Sequence, residues 1–136
     1  MSNLACPEAL RPCVKAAELP DEAALKQTTI VTVTYGERLP FLQRLIEQAF
    51  RFEQITRVLV VSNASRAPLE QLCSRWPGQV RIISLEHNTG SANGYAVGLQ
   101  AALAEGAHYI WMMDDDNAPT AAAVRLMGAR CIISGI

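Results

Sequence analysis

The feature that most constrains this chain is a regular alternation. From Thr28 onward, short runs of β-branched and aliphatic residues take turns with stretches whose apolar residues recur three and four apart. TTIVTVT is the first run and ends at Tyr35-Gly36. After it, Leu39, Leu42, Leu45, Ile46, Ala49 and Phe50 fall at helical spacing, with Pro40 tolerable in a first turn. TRVLVVS is the second strand, closed by Asn63-Ala64-Ser65. Pro68 opens a short helix with Leu69, Leu72, Cys73 and Trp76 on its apolar side, and Pro77-Gly78 breaks it. VRIISL is the third strand, and the polar loop EHNTGS leads into a long helix carrying Tyr95, Leu99, Ala102 and Leu103 that stops at Gly106. HYIWMM is the fourth strand and runs straight into Asp114-Asp115-Asp116. Pro119 opens another helix through Val124 and Met127, and CIIS reads as the start of a fifth strand.

Strands that are near-continuous Val/Ile/Leu runs are buried on both faces, as parallel strands between helix layers are. Alternating with helices through short loops, they predict an α/β fold: an open, mostly parallel sheet with helices on both faces. One domain fits a chain of 136 residues, with residues 1–27 as a lead-in or arm and 28–136 as the folded part.

Half of the residues are apolar and 18% are charged, which supports a packed core and excludes a disordered chain. A net charge of -1 with scattered Lys and Arg leaves no basic stripe to neutralise phosphates, so no nucleic-acid partner is expected. Cys6, Cys13, Cys73 and Cys131 form no C-x-x-C pair and have no His at zinc-finger spacing. Reduced thiols in a cytoplasmic protein are the simplest reading. The N-terminus lacks the continuous apolar stretch of a signal peptide. The most membrane-like window, Tyr95 to Met113, is interrupted by Gln100, Glu105, Gly106 and His108, so no transmembrane segment is expected.

Ligands of an open α/β sheet bind outside the carboxyl ends of its strands. Here those ends are Thr34-Tyr35-Gly36-Glu37-Arg38, Ser62-Asn63-Ala64-Ser65, Glu86-His87-Asn88-Thr89-Gly90 and Asp114-Asp115-Asp116-Asn117. Three consecutive carboxylates repel one another. At an effective dielectric near 20, each pair about 5 Å apart costs on the order of 3 kcal/mol. A hard divalent cation, Mg²⁺ or Mn²⁺, reverses that cost. If strand geometry persists, Asp114 and Asp116 share a face and Asp115 points away. The bland alternative is that the run caps the helix before Pro119, although one such residue would do for a cap. Gly90 stands at a strand-to-helix turn where bare backbone can approach a phosphate or sugar. Gly90, Gly94 and Gly98 recur four apart, and close packing on the sheet explains Gly98 best.

Other nucleotide folds fit less well. No G-x-G-x-x-G follows the first strand, no Walker lysine motif is present, and TYGERLP is not the Gly-rich loop of a sugar nucleotidyltransferase. An aspartyl-nucleophile phosphatase would carry its D-x-D early, with Thr or Val where this chain has Ala118.

TIVTVTYGERLPFLQRLIEQ, VLVVSNAS, HNTGSANGYAVGLQAAL and YIWMMDDDNAP, in this order, resemble the family-two glycosyltransferases: inverting enzymes of the A-type fold that use a nucleotide-sugar donor. The stretches cover Thr28 to about Met127 and are most similar to the branch that transfers rhamnosyl or galactofuranosyl units into cell-surface polysaccharides. The resemblance implies a UDP- or dTDP-sugar donor, a saccharide or lipid-linked saccharide acceptor, Mg²⁺ or Mn²⁺, and work in the cytoplasm or at the inner membrane face. The nucleotide-sugar is expected on Thr34, Tyr35, Glu37, Ser62, Asn63, Asn88, Gly90, Asn93, Gly94, Asp114 and Asp115, with Asp114 and Asp116 on the metal. Two departures stand out. Ser62 replaces the usual Asp that receives the imide N–H of uracil or thymine. No Asp or Glu follows Asp116, so the general base has no candidate there and the acceptor half is expected to be missing.

Overall fold

A computed structural model describes residues 27–129, with side chains to Arg125. The expected lead-in (except Gln27), the strand at CIIS, and Cys6, Cys13 and Cys131 lie outside the described residues. Eight elements alternate: β1 (Thr28–Thr34), α1 (Leu39–Ala49), β2 (Ile55–Asn63), α2 (Glu70–Arg75), β3 (Val80–Leu85), α3 (Ser91–Ala104), β4 (Tyr109–Met112) and α4 (Ala121–Ala129). The four strands form one parallel sheet in the order β3-β2-β1-β4. This is the open parallel sheet the sequence predicts.

Burial on both faces explains the composition of the two central strands, β1 and β2. All seven residues of β1 are buried. Ile30, Val58, Val60 and Val80 pack with Leu42, Leu45, Ile46 and Leu72 on one side, under α1 and α2. Val31, Val33, Leu59 and Val61 pack with Ala102 of α3 on the other. Each fully buried aliphatic side chain is worth roughly 1.5–3 kcal/mol, so these two layers supply most of what holds the sheet.

The topology creates a cleft. The chain builds β1, β2 and β3 outward in one direction, and then α3 carries it back across the sheet to lay β4 against the free side of β1. The reversal puts the carboxyl ends of β1 and β4 side by side at a switch point, where open sheets bind ligands. Two glycines let α3 cross close to the strands. A Cβ on Gly98 would lie 2.5 Å from Val31 Cγ1 and 3.0 Å from Val61 Cγ2, and one on Gly94 would lie 2.8 Å from Val33 Cγ1.

Some boundaries differ from the sequence expectation. The second helix starts at Glu70 rather than at Pro68, because Leu69 still has its own turn to make, its N–H donating to the Ala67 carbonyl. The fourth strand ends at Met112, and the chain turns at once, with Asn117 N–H donating to the Asp114 carbonyl at 3.0 Å. Strand alternation therefore does not reach the Asp run.

Candidate functional site

All four strand ends contribute to one cavity of about 400 Å³ at the switch point. β1 supplies Val33, with Tyr35 and Arg38 following it, and β2 supplies Asn63. Asn88 lies on the loop after β3, Ser91 and Tyr95 on α3, and Asp114, Asp115 and Asp116 follow β4.

The three carboxylates divide as the expected alternation has them: Asp114 and Asp116 are exposed together, and Asp115 turns away from them into the protein. Asp115 is buried, 4% exposed, and is the most heavily tied. Arg38 Nε donates to its Oδ2 at 2.7 Å, Arg38 Nη2 to its Oδ1 at 2.9 Å, and Thr34 Oγ1 to Oδ2 at 2.9 Å. A bidentate charged pair of this kind is among the stronger hydrogen-bonding arrangements available. The bond to Asp115, before any other cause, raises the pKa of Arg38 further, so the guanidinium stays charged. The Arg38 guanidinium also sits over the rings of Tyr35 and Phe41, at 5.1 and 4.8 Å from their centroids.

Asp114 and Asp116 are exposed at the cavity wall. Asp114 Oδ1 lies 3.0 Å from the Tyr95 hydroxyl, which also lies 2.8 Å from the Met113 carbonyl. Burial, and then the bond to Asp114, holds the Tyr95 phenol well above its ordinary pKa, so it remains a neutral donor. Asp116 Oδ2 is 3.9 Å from Arg38 Nη2. The run does not cap α4. Thr120 does, its Oγ1 accepting from the Ala123 N–H at 3.1 Å.

These oxygens suit a hard cation that also has ligands from elsewhere. Among the described residues no group of three or more His, Cys, Asp or Glu could hold an ion. Asp115 is committed to Arg38, which leaves Asp114 and Asp116. Mg²⁺ is ordinarily bound by one or two carboxylates together with substrate phosphates, and two carboxylates on an open cavity fit that pattern.

The remaining expected residues fall into four placements. Tyr35, Asn63 and Asn88 border the cavity. Asn63 also builds its wall: its Nδ2 donates to the Gly90 carbonyl at 2.9 Å, and its Oδ1 accepts from the Thr89 N–H at 2.8 Å. Gly90, at φ +88°, makes the turn that starts α3. Thr34, Ser62, Asn93 and Gly94 lie behind or beside the cavity. Thr34 is spent on Asp115, Ser62 Oγ accepts from the Ser65 N–H at 3.1 Å, and Asn93 Nδ2 donates to Thr89 Oγ1 at 2.8 Å. Gly94 serves packing against Val33. Glu37 is exposed and does not line the cavity.

Sequence reasoning missed Arg38, Ser91 and Tyr95. Arg38 was findable, because three adjacent carboxylates call for a cation and it stands at the end of the neighbouring strand. Tyr95 read as part of an apolar helix face, and only its hydroxyl hinted at more.

A parallel sheet with an acidic turn after its fourth strand, at the switch point, is the architecture of the A-type glycosyltransferase fold. Solved structures share that fold. S. aureus TarS (residues 1–349) matches with a TM-score of 0.59 and 17% identity, over 76% of this chain and 31% of that one. The Pyrobaculum calidifontis mannosyltransferase PcManGT, solved with GDP-Man and Mn²⁺, matches with a TM-score of 0.54 and 20% identity, over 76% of this chain and 31% of that one. The sequence narrows the class: residues 29–127 match the glycosyl transferase family 2 profile, and the chain belongs to that family. Galactofuranosyltransferase GlfT1 of Mycolicibacterium smegmatis is 34% identical over 89 residues, which are 65% of this chain and 30% of that protein. GlfT1 of Mycobacterium tuberculosis is 34% identical over 62 residues, 44% of this chain and 20% of that protein. The chain thus spans less than a third of the length of either relative. No helix among the described residues is long and apolar enough to cross a membrane.

Proposed function

We propose that this chain is the donor-binding part of a metal-dependent glycosyltransferase that moves a sugar from a UDP- or dTDP-sugar to a saccharide acceptor of a cell-surface polysaccharide. The observation that carries this reading is the convergence of Tyr35, Arg38, Asn88, Tyr95 and the Asp114–Asp116 turn on one cavity at the switch point. The similarity to galactofuranosyltransferases supports a furanosyl or related donor, and the Mn²⁺ and GDP-Man bound by PcManGT support a cation with a nucleotide-sugar.

Asp114 and Asp116 would hold Mg²⁺ or Mn²⁺, which supplies positive charge against the donor diphosphate as it becomes the leaving group. Arg38 keeps Asp115 folded inward, so the outer two carboxylates face the cavity without a third negative charge beside them. Tyr35, half exposed, offers its ring to the base. Asn63 holds the Gly90 turn, and the start of α3 lies where a phosphate or sugar can approach backbone N–H groups. Ser62 is buried and engaged with Ser65, so base reading would fall to other groups.

A second reading has its own support. The carboxylates that line the cavity are Asp114, Asp115 and Asp116, and each has a task other than deprotonating an acceptor. By that reading the chain binds a nucleotide-sugar without turning it over.

The test is nucleotide binding by wild type and Asp116→Asn in Mn²⁺. Asp116→Asn is expected to weaken UDP or dTDP binding by about tenfold or more, equivalent to about 1.4 kcal/mol. Equal affinities would remove Asp116 from the metal site and the proposal with it.

A further inference from the structure

We infer that Tyr95 is a positioning residue: its hydroxyl fixes Asp114 and the end of β4 in the arrangement that receives the cation. The inference rests on Asp114 being a metal ligand as proposed above, and it adds a residue that the sequence motif does not contain.

The geometry comes from the helix. Gly94 and Gly98 lie four apart on α3, and neither has room for a Cβ against the valines of β1 and β2. Their absence of side chains brings α3 down onto the sheet, and Tyr95, beside Gly94, reaches the end of β4. There its hydroxyl has two acceptors, the Met113 carbonyl at 2.8 Å and Asp114 Oδ1 at 3.0 Å. The single hydroxyl proton is shared between them, so one donor ties the backbone just before Asp114 to the Asp114 side chain.

This matters because Asp114 is exposed and follows a strand only four residues long. A free carboxylate there would sample several rotamers and would have to give them up when a cation bound. Groups that hydrogen-bond a ligating side chain remove that cost in advance and orient the ligand. Among the described residues Asp116 has no equivalent anchor: Arg38 Nη2 stands 3.9 Å away and already bonds Asp115. The two outer carboxylates are therefore prepared unequally, and Tyr95 prepares one of them.

The experiment is Mn²⁺ affinity in the presence of UDP, measured by the loss of free-Mn²⁺ electron paramagnetic resonance signal, for the full 136-residue chain. Tyr95→Phe keeps the ring and removes only the hydroxyl. It is expected to weaken Mn²⁺ binding about tenfold, while near-ultraviolet circular dichroism stays that of wild type. A double-mutant cycle separates positioning from general loosening. Combined with Asp114→Asn, Tyr95→Phe should add little further loss, whereas with Asp116→Asn its effect should persist. Unchanged Mn²⁺ affinity in Tyr95→Phe, with wild type binding normally, overturns the role of Tyr95 alone. An equal loss on top of both Asn variants makes Tyr95 merely structural and also overturns it. If wild type itself shows no Mn²⁺ binding with UDP, the metal site and the inference built on it fall together.

Discussion

Asp115 shows how one residue can take a different part from its neighbours of the same type. Its carboxylate accepts two hydrogen bonds from Arg38 and one from Thr34, and it is 4% exposed. Asp115→Ala takes the acceptor from buried Thr34 Oγ1 and the bidentate partner from Arg38, which borders the open cavity and still has Asp116 3.9 Å away. It should lower stability, read as a fall in the urea midpoint at unchanged slope. An unchanged midpoint would place the pair with ordinary surface salt bridges. The Asp run itself was legible in the sequence, because three adjacent like charges need an explanation. Period-two alternation also set Asp115 apart from Asp114 and Asp116, although the strand itself stops at Met112. The partner of Asp115 was not legible, because Arg38 lies 77 positions away. No local pattern carries that information. The contact Ser62 makes was not legible either: expected at the base by resemblance to the family, its hydroxyl accepts from the Ser65 N–H within a turn.

At the scale of elements, α3 is decided by what its glycines lack. Gly→Ala inside a helix gains up to about 1 kcal/mol in propensity. Overpacking a filled core costs roughly 1–3 kcal/mol. At position 98 the second effect wins, because a Cβ would stand 2.5 Å from Val31 Cγ1, and Val31 and Leu59 are themselves fully buried with little room to yield. Gly98→Ala should therefore destabilise by about 1 kcal/mol or more in thermal or urea unfolding, and a stabilised variant would show that the helix can lift freely. The periodicity that marks Gly98 as a packing residue marks Gly94 too, and the structure gives both the same duty against the sheet. Strands β1 and β2 were readable because burial on both faces demands uninterrupted aliphatic runs. Helix starts were less readable, since a proline permits a first turn without requiring it, as at Pro68.

At the scale of the whole molecule, the order β3-β2-β1-β4 turns scattered polar strand ends into one cavity. That the strand ends share one edge followed from strand–helix alternation, and family membership agrees with the fold; the order of the strands came from the structure. The same architecture limits what the chain does unaided. A positioned base typically contributes 10²- to 10⁴-fold to transfer, and the carboxylates lining the cavity are the three already assigned to cation and clamp. The purified 136-residue chain should bind nucleotide but show no sugar transfer to a panel of saccharide acceptors. Turnover abolished by Asp116→Asn would contradict this and direct the search for a base to Glu37 or Glu86. The central claim, that the cavity holds a nucleotide diphosphate through a cation on Asp114 and Asp116, is tested most directly by calorimetric titration of wild type with UDP in Mn²⁺ and again in EDTA. The account predicts saturable binding in Mn²⁺ that is weakened at least tenfold in EDTA, a difference of about 1.4 kcal/mol. Equal affinity under the two conditions would contradict it.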